Sequence, residues 1–404
     1  MIRNFFSYML GGMLAVMPLA AQSQTWNSGA PIDEKGLFEE ITGIKNKTDK
    51  FHLYLNTQTN FNLNWDGTGG TNFDGGNFRF KQLRIEMRGN INDWLSYRYR
   101  QRLNKGEGPD GNFDNVLQAI DYAEVGFRVN KVNFVMGKQC ASYGGIEFDL
   151  NPIEVYQYCD MIEYMSNFMT GLRIEWNIKP TQQLQFQVLD DITKSSQAMY
   201  GDITPAKMGF LYTVNWNGNF NDVYKTRWSA SYMNEVKKHG MYYFAFGNQF
   251  NFTPQWGAWV DIMYSREGID RKGLVTGVLS KYEEATHHNA FNTEYLTFLL
   301  HMNYFVAPKW NIFGKVAYET NGVFSATPGV GNEPGILKGH YGTHWLYVGG
   351  VEFYPLKDRN LHIFLTYVGQ NTRHTKLAQQ NYGAEKSSFT NLLTAGFIWQ
   401  IPLF

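Results

Sequence analysis

From residue 51 onward the chain alternates. Phe51, Leu53, Leu55, Thr57, Thr59, Phe61 and Leu63 fall on one face of an extended segment, and His52, Tyr54, Asn56, Gln58, Asn60 and Asn62 on the other. A period of two belongs to strands, not helices. The alternation returns in Leu184, Phe186 and Val188, in Met208 to Trp216, in Trp256 to Tyr264 and in Leu296 to Tyr304. The intervening residues are mostly polar or small, so each strand is apolar on one face. Strands are expected near 51–63, 78–89, 94–104, 117–129, 131–142, 168–178, 182–192, 207–217, 225–234, 239–251, 255–266, 294–305, 309–320, 342–354, 360–370 and 389–403. That makes about sixteen, each long enough to cross a bilayer at a tilt.

The links carry a second signal. Those after odd-numbered strands are long (64–77, 105–116, 143–167, 193–206, 267–293, 321–341, 371–388) and those after even-numbered strands are short, with one exception around 237–240. Short periplasmic turns alternating with long extracellular loops define an all-β class, a transmembrane antiparallel β-barrel. The chain ends in Phe404, out of phase with the outward stripe of Ala395, Phe397, Trp399 and Ile401, and Pro402 invites a bulge there.

Ahead of the strands, Arg3, an apolar run from Phe5 to Leu19 and the small pair Ala20 and Ala21 have the form of a secretory signal peptide. The expected division is therefore 1–21 signal peptide, 22–50 a short periplasmic extension, and 51–404 the barrel. No later apolar run approaches the ~18 residues of a membrane helix. The 25 Tyr, 30 Phe and 11 Trp make the chain 16% aromatic, yet its mean hydropathy is negative, as aromatic girdles around a polar lumen require. Acidic and basic residues balance, 36 to 36, so bulk charge names no partner and gives no sign of nucleic acid. Cys140 and Cys159 would meet an oxidising compartment, and whether they pair is open.

Candidate chemistry lies on the inward face. Arg98, Arg100 and Arg102 oppose Leu95, Tyr97 and Tyr99, and Arg84 and Arg88 oppose Leu83, Ile85 and Met87. Guanidiniums cannot face lipid, so these five, joined by Arg173, form a basic ladder on one lumen wall. One reading is a track that attracts anions; the other is a solvated wall with the arginines paired to Glu86, Glu124 and Glu175. Arg79 and Lys81 are out of phase and sit at the rim or mark a bulge. The 143–166 loop carries Glu147, Asp149, Glu154, Asp160 and Glu163 and no Lys or Arg. Folded inward, it would face the arginines with carboxylates across a constriction; the alternative is an exposed acidic loop.

Asp66-Gly67, Asp74-Gly75 and Asp110-Gly111 fit turn chemistry and no calcium-loop spacing. His287 and His288, adjacent in a loop, make a poor metal pair. No nucleophile elbow, phosphate-cradling loop or zinc-protease motif is present, so neither enzyme activity nor a cofactor is expected.

The run FRFKQLRIEMRGNINDWLSYRYRQRLN from Phe78 to Asn104, followed by VMGKQCASYGGIE from Val135 to Glu147, resembles the phosphate-selective porin O and P family. The resemblance covers the first half of the chain best. It implies a trimeric sixteen-stranded outer-membrane channel, with Arg98, Arg100 and Arg102 in the family's lumenal arginine ladder and the loop after Gly145 as its constriction loop. Phosphate-binding members gather basic side chains at the constriction, whereas this loop supplies only carboxylates. The expectation is a homotrimeric porin in the outer membrane, among its lipid and lipopolysaccharide, passing small hydrophilic solutes by diffusion with a preference for anions such as phosphate. A general or sugar-passing pore, or a surface-binding barrel with a closed pore, stands as the alternative.

Overall fold

The computed structural model describes residues 37–43, 49–67, 69–104, 119–190, 197–201, 203–204, 206–236, 239–279, 287–329, 335–356 and 360–404. The signal peptide, most of the extension and the 105–116 link lie outside these residues.

Sixteen strands close into one antiparallel barrel. They are β1 His52–Asp66, β2 Asn72–Asn92, β3 Leu95–Arg102, β4 Ile120–Val129, β5 Val132–Cys140, β6 Phe168–Lys179, β7 Gln182–Asp190 and β8 Phe210–Phe220 in the first half. The second half holds β9 Tyr224–Val236, β10 His239–Asn251, β11 Trp256–Ile269, β12 Phe291–Ala307, β13 Trp310–Val323, β14 Gly339–Phe353, β15 Leu361–His374 and β16 Ser387–Pro402. Each strand pairs with its chain neighbours, and β1 pairs with β16 from Tyr54↔Pro402 to Trp65↔Asn391 to close the ring. Closure satisfies every strand edge, which a bilayer demands.

Alternation sorts the faces as the pattern predicts. On β10 Tyr242, Phe244 and Phe246 point out and Met241, Tyr243 and Ala245 point in, the latter three fully buried. Outward aromatics pack across strands: Trp228 on β9 lies edge-on to Trp216 on β8 at 5.2 Å and to Phe246 on β10 at 5.7 Å, the geometry favoured by aromatic quadrupoles. Links at one end are tight. Asn130 (φ 53°), Asn221 (φ 55°) and Asp222 (φ 56°) adopt the left-handed conformation that short hairpins need and that Asn and Asp tolerate best.

Two details differ from the sequence reading. The expected 64–77 loop is mostly ladder, because β1 and β2 continue upward as a hairpin through Asn64↔Gly75, Trp65↔Phe73 and Asp66↔Asn72, with a bulge between Asn64 and Trp65. Its polar and glycine residues hid the strand period. At the other end Pro402 makes no bulge: β16 pairs without a shift through Ile401 and Pro402. The chain then turns, Leu53 and Phe404 exchanging backbone hydrogen bonds and the Phe404 ring settling 5.7 Å from Phe51.

The lumen is lopsided. Inward positions on β1 to β8 carry the amide row and the arginine ladder, whereas β9 to β16, among polar residues such as Asp261, Lys315 and Glu319, present Met233, Met241, Tyr243, Met263, Leu299, Phe313, Leu346 and Phe364, which form most of one buried apolar cluster. A lumen wall of that composition needs a cover. The loop between β5 and β6 provides it, setting Phe148, Ile153, Tyr156, Met161 and Ile162 into the same cluster. A second loop, after β11, adds Val275 and Leu279 around a short helix, Leu274–Val278.

Candidate functional site: a basic wall and an inward loop

The loop enters the barrel at Gly144 and Gly145, whose φ angles of 75° and 84° favour glycine. A side chain on Gly247 of β10 would stand 2.8 Å from the Gly145 backbone, so a second glycine lets the two chains touch. The carboxylate of Asp261 on β11 then accepts the backbone N–H groups of Ile146 (2.8 Å) and Glu147 (2.9 Å).

From this corner the loop crosses the lumen, tied at each step to the wall. Glu147 accepts from Lys315 on β13, and Asp149 pairs with Arg227 on β9. Glu154 accepts from Asn360 at 2.9 Å. The Tyr156 hydroxyl donates to Glu352 on β14 at 2.7 Å. Lys81 on β2 donates to the carbonyls of Val155 and Tyr156. Asp160 opens a short helix, Asp160–Glu163, whose first N–H groups, those of Asp160 and Met161, donate to Glu319 on β13 at 2.8 and 3.1 Å, while His344 on β14 holds the Asp160 carboxylate at 2.6 Å.

The sequence expectation that the loop's carboxylates face the arginine ladder is therefore corrected. Glu147, Asp149 and Asp160 bond to cationic groups on β13, β9 and β14, and Glu154 to Asn360 at the start of β15, so none of the four pairs with a ladder arginine. Glu163 alone is exposed, lining a cavity beside Lys81. Burial pushes the Asp149 carboxyl up to about 6, with Arg227 acting against it, and moves those of Glu147, Glu154 and Asp160 upward as well.

The six ladder arginines all lie on the inner side of β2, β3 and β6, and most meet carboxylates. Arg84, Arg100 and Arg102 converge on Asp121 at 3.4, 3.1 and 2.7 Å. A register shift where β3 meets β4, between Arg100 and Gln101, brings Asp121 to them. Arg98 pairs with Glu86 and Arg173 with Glu175, at 2.9 and 2.8 Å. Arg88 lies over the Tyr54 ring. Arg84, Arg100 and Arg173 are buried, while Arg88, Arg98 and Arg102 keep partial exposure.

Several functional neighbours escaped the sequence. A bulge where Gln58 pairs Gln82 and Thr59 pairs Phe80 leaves Lys81 unmatched and reverses the phase above it. This is the bulge that the sequence left open beside the rim: Lys81 and Arg79 join the lumen, while Phe78 and Phe80 turn outward. Their broken phase was the available signal. Lys315, Arg227, His344 and Glu319 gave none, since each acts through a partner far away in the chain.

Cys140 and Cys159 are both free and buried. Asp160, Glu319 and His344 form a cluster of metal-ligand type, but the Glu319 oxygens are already engaged by two loop N–H groups and by Thr297. His287 is left-handed at φ 59°, and His288 bonds the Asn289 carbonyl.

Similar proteins share this architecture. The outer-membrane channel DcaP of Acinetobacter baumannii aligns over 87% of this chain and 98% of its own, with TM-score 0.55 and 9% identity. An anion-selective porin from Comamonas acidovorans aligns over 87% and 99%, with TM-score 0.54 and 10% identity. The trimer form of OmpT from Vibrio cholerae aligns over 87% and 100%, with TM-score 0.51 and 11% identity. No curated protein sequence matches the chain. The model of the phosphate-selective porin O and P family matches residues 51–401, nearly the whole barrel from β1 to β16, so the chain belongs to that family of outer-membrane channels.

Proposed function

We propose that the protein is a passive diffusion channel of the outer membrane for small hydrophilic solutes, with a preference for anions such as phosphate. The observation that carries the preference is the sharing of Asp121 by three arginines. One carboxylate cannot neutralise three guanidiniums, so this wall keeps a positive field in a lumen of reduced dielectric. Four of the five loop carboxylates, Glu147, Asp149, Glu154 and Asp160, are taken up by partners outside the ladder, which leaves Glu163 as the loop's only carboxylate in the cavity beside this wall. Arg88, Arg98 and Arg102, the partly exposed members, are the ones a passing anion would meet.

We read residues 1–21 as a cleaved signal peptide, 22–50 as a short periplasmic extension, and the outer belt of aromatics as the surface that meets lipid and lipopolysaccharide. A homotrimer is in keeping with the family and with the trimeric OmpT barrel.

One observation favours the second reading, a general or sugar-passing pore. Asn56, Gln58, Asn60 and Asn62 of β1 form an inward row of amides with unmet hydrogen-bonding atoms, which would suit uncharged hydroxyl-rich solutes. Single-channel conductance of the refolded protein in a planar bilayer, with phosphate added as a blocker, separates the readings. Phosphate block is expected for the anion channel. Conductance without block favours the general pore, and correctly folded protein without conductance favours the closed, surface-binding barrel.

A further inference from the structure

Between the basic wall and the inward loop lies a cavity of about 470 Å³, within the range of pockets that hold a whole organic ligand, about 300–1,000 Å³. Its two sides differ. One is cationic, formed by Arg79, Lys81, Arg84 and Arg102. The loop side is mixed: Phe148, Pro152, Val155 and Ile162, with Phe168 of β6, give it an apolar patch, beside which Gln157, Tyr158 and the carboxylate of Glu163 also line the cavity.

The cationic side has unspent capacity. Arg84 is only 4% exposed; its Nη1 makes a charge contact with Asp121 at 3.4 Å without a hydrogen bond, and its Nε has no hydrogen-bond acceptor. Lys81 meets two backbone carbonyls of the loop. Its third donor site remains for a ligand, and with Arg79, Arg84 and Arg102 it leaves the cavity's charged lining net positive against the single carboxylate of Glu163. Buried donors of this kind carry a desolvation cost that an anion would relieve. Inorganic phosphate would answer the charge but leave the apolar patch and most of the volume empty.

We infer that this cavity is a binding site for an organic anion with an apolar body, a carboxylate or phosphate head on Lys81, Arg84 and Arg102 and a hydrocarbon or aromatic tail against Phe168 and the loop. The site rests on the channel reading above and makes the solute class more specific: amphiphilic anions bind in transit more tightly than small inorganic ones. The acid group sits on the cationic side and the tail on the loop side, so the two halves are separable by mutation.

The test is calorimetric titration of the full chain in detergent with acetate, hexanoate, benzoate and inorganic phosphate, paired with conductance block by the same four. Each buried methylene multiplies affinity by roughly fourfold. Hexanoate and benzoate should therefore bind at least about tenfold more tightly than acetate or phosphate. Lys81→Met should weaken all four, whereas Phe168→Ser should weaken only the two with apolar tails, with circular dichroism melts confirming that each variant is folded. Equal affinity for acetate and hexanoate, or phosphate binding tightest, overturns the site. Tail-dependent binding in a protein that conducts nothing keeps the site and removes the channel; conduction without tail dependence keeps the channel and removes the site.

Discussion

His344 of β14 and Asp160 of the inward loop, 184 positions apart in the chain, meet with the imidazole Nδ1 2.6 Å from a carboxylate oxygen. The same carboxylate begins the helix whose first N–H groups Glu319 receives, so three segments join at one point of the lumen. His344→Phe keeps the ring and deletes the bond. A hydrogen bond to a charged partner contributes about 1.5–3 kcal/mol, so the far end of the loop should loosen. The expected result is noisier single-channel current and faster proteolysis near residues 158–166. Current and proteolysis unchanged from native would show that other contacts hold the loop.

Lys315 and Glu147 form the second anchor. Glu147 is 1% exposed and Lys315 5%, so Lys315→Met leaves a carboxylate buried without its cation, a loss that typically costs about 3–5 kcal/mol. The double variant Lys315→Met with Glu147→Gln should recover most of it, since no net charge is then buried. Thermal unfolding in detergent measures both. Additive losses in the double variant would mean that the pair does not interact.

Much of this architecture is legible in the sequence, for a physical reason. A barrel strand has water on one side and lipid on the other, so period two is written into most of the strands, and Phe61, Tyr242 and Phe298 announce the lipid face without reference to any partner. That the loop after Gly145 turns inward is implied by the family resemblance, not by its residues alone. Its destination is not legible, because it depends on Met233, Tyr243, Met263 and Leu299 facing inward from separate strands, and only the closed barrel assembles them into one surface. Of the two alternatives for Arg79 and Lys81, rim or bulge, the structure has the bulge: a single extra residue in β2 moves every side chain above it to the other face.

The loop carboxylates give the pore a pH dependence of definite sign. Burial raises the Asp149 carboxyl to about 6 and lifts Glu147, Glu154 and Asp160 too. Because the folded value lies above the unfolded one near 3.9, the folded state takes up protons as pH falls through about 6. The associated stability is complete below about 4 and is lost as pH rises through 6. Protonation also cancels negative charge opposite Arg227, making the lumen more positive. Anion selectivity should rise between pH 7 and pH 5, with the loop still seated. Reversal potentials recorded across that range would contradict this account if selectivity moved toward cations.

The central claim is that the partly exposed arginines of the β2 and β3 wall bias the pore toward anions. The most direct measurement is the reversal potential under a potassium chloride gradient for the native protein and for a variant carrying Arg88→Gln, Arg98→Gln and Arg102→Gln. Chloride should permeate faster than potassium in the native channel, and the ratio should fall toward unity in the variant. A native channel that favours potassium, or a variant as anion-selective as the native protein, would contradict the claim.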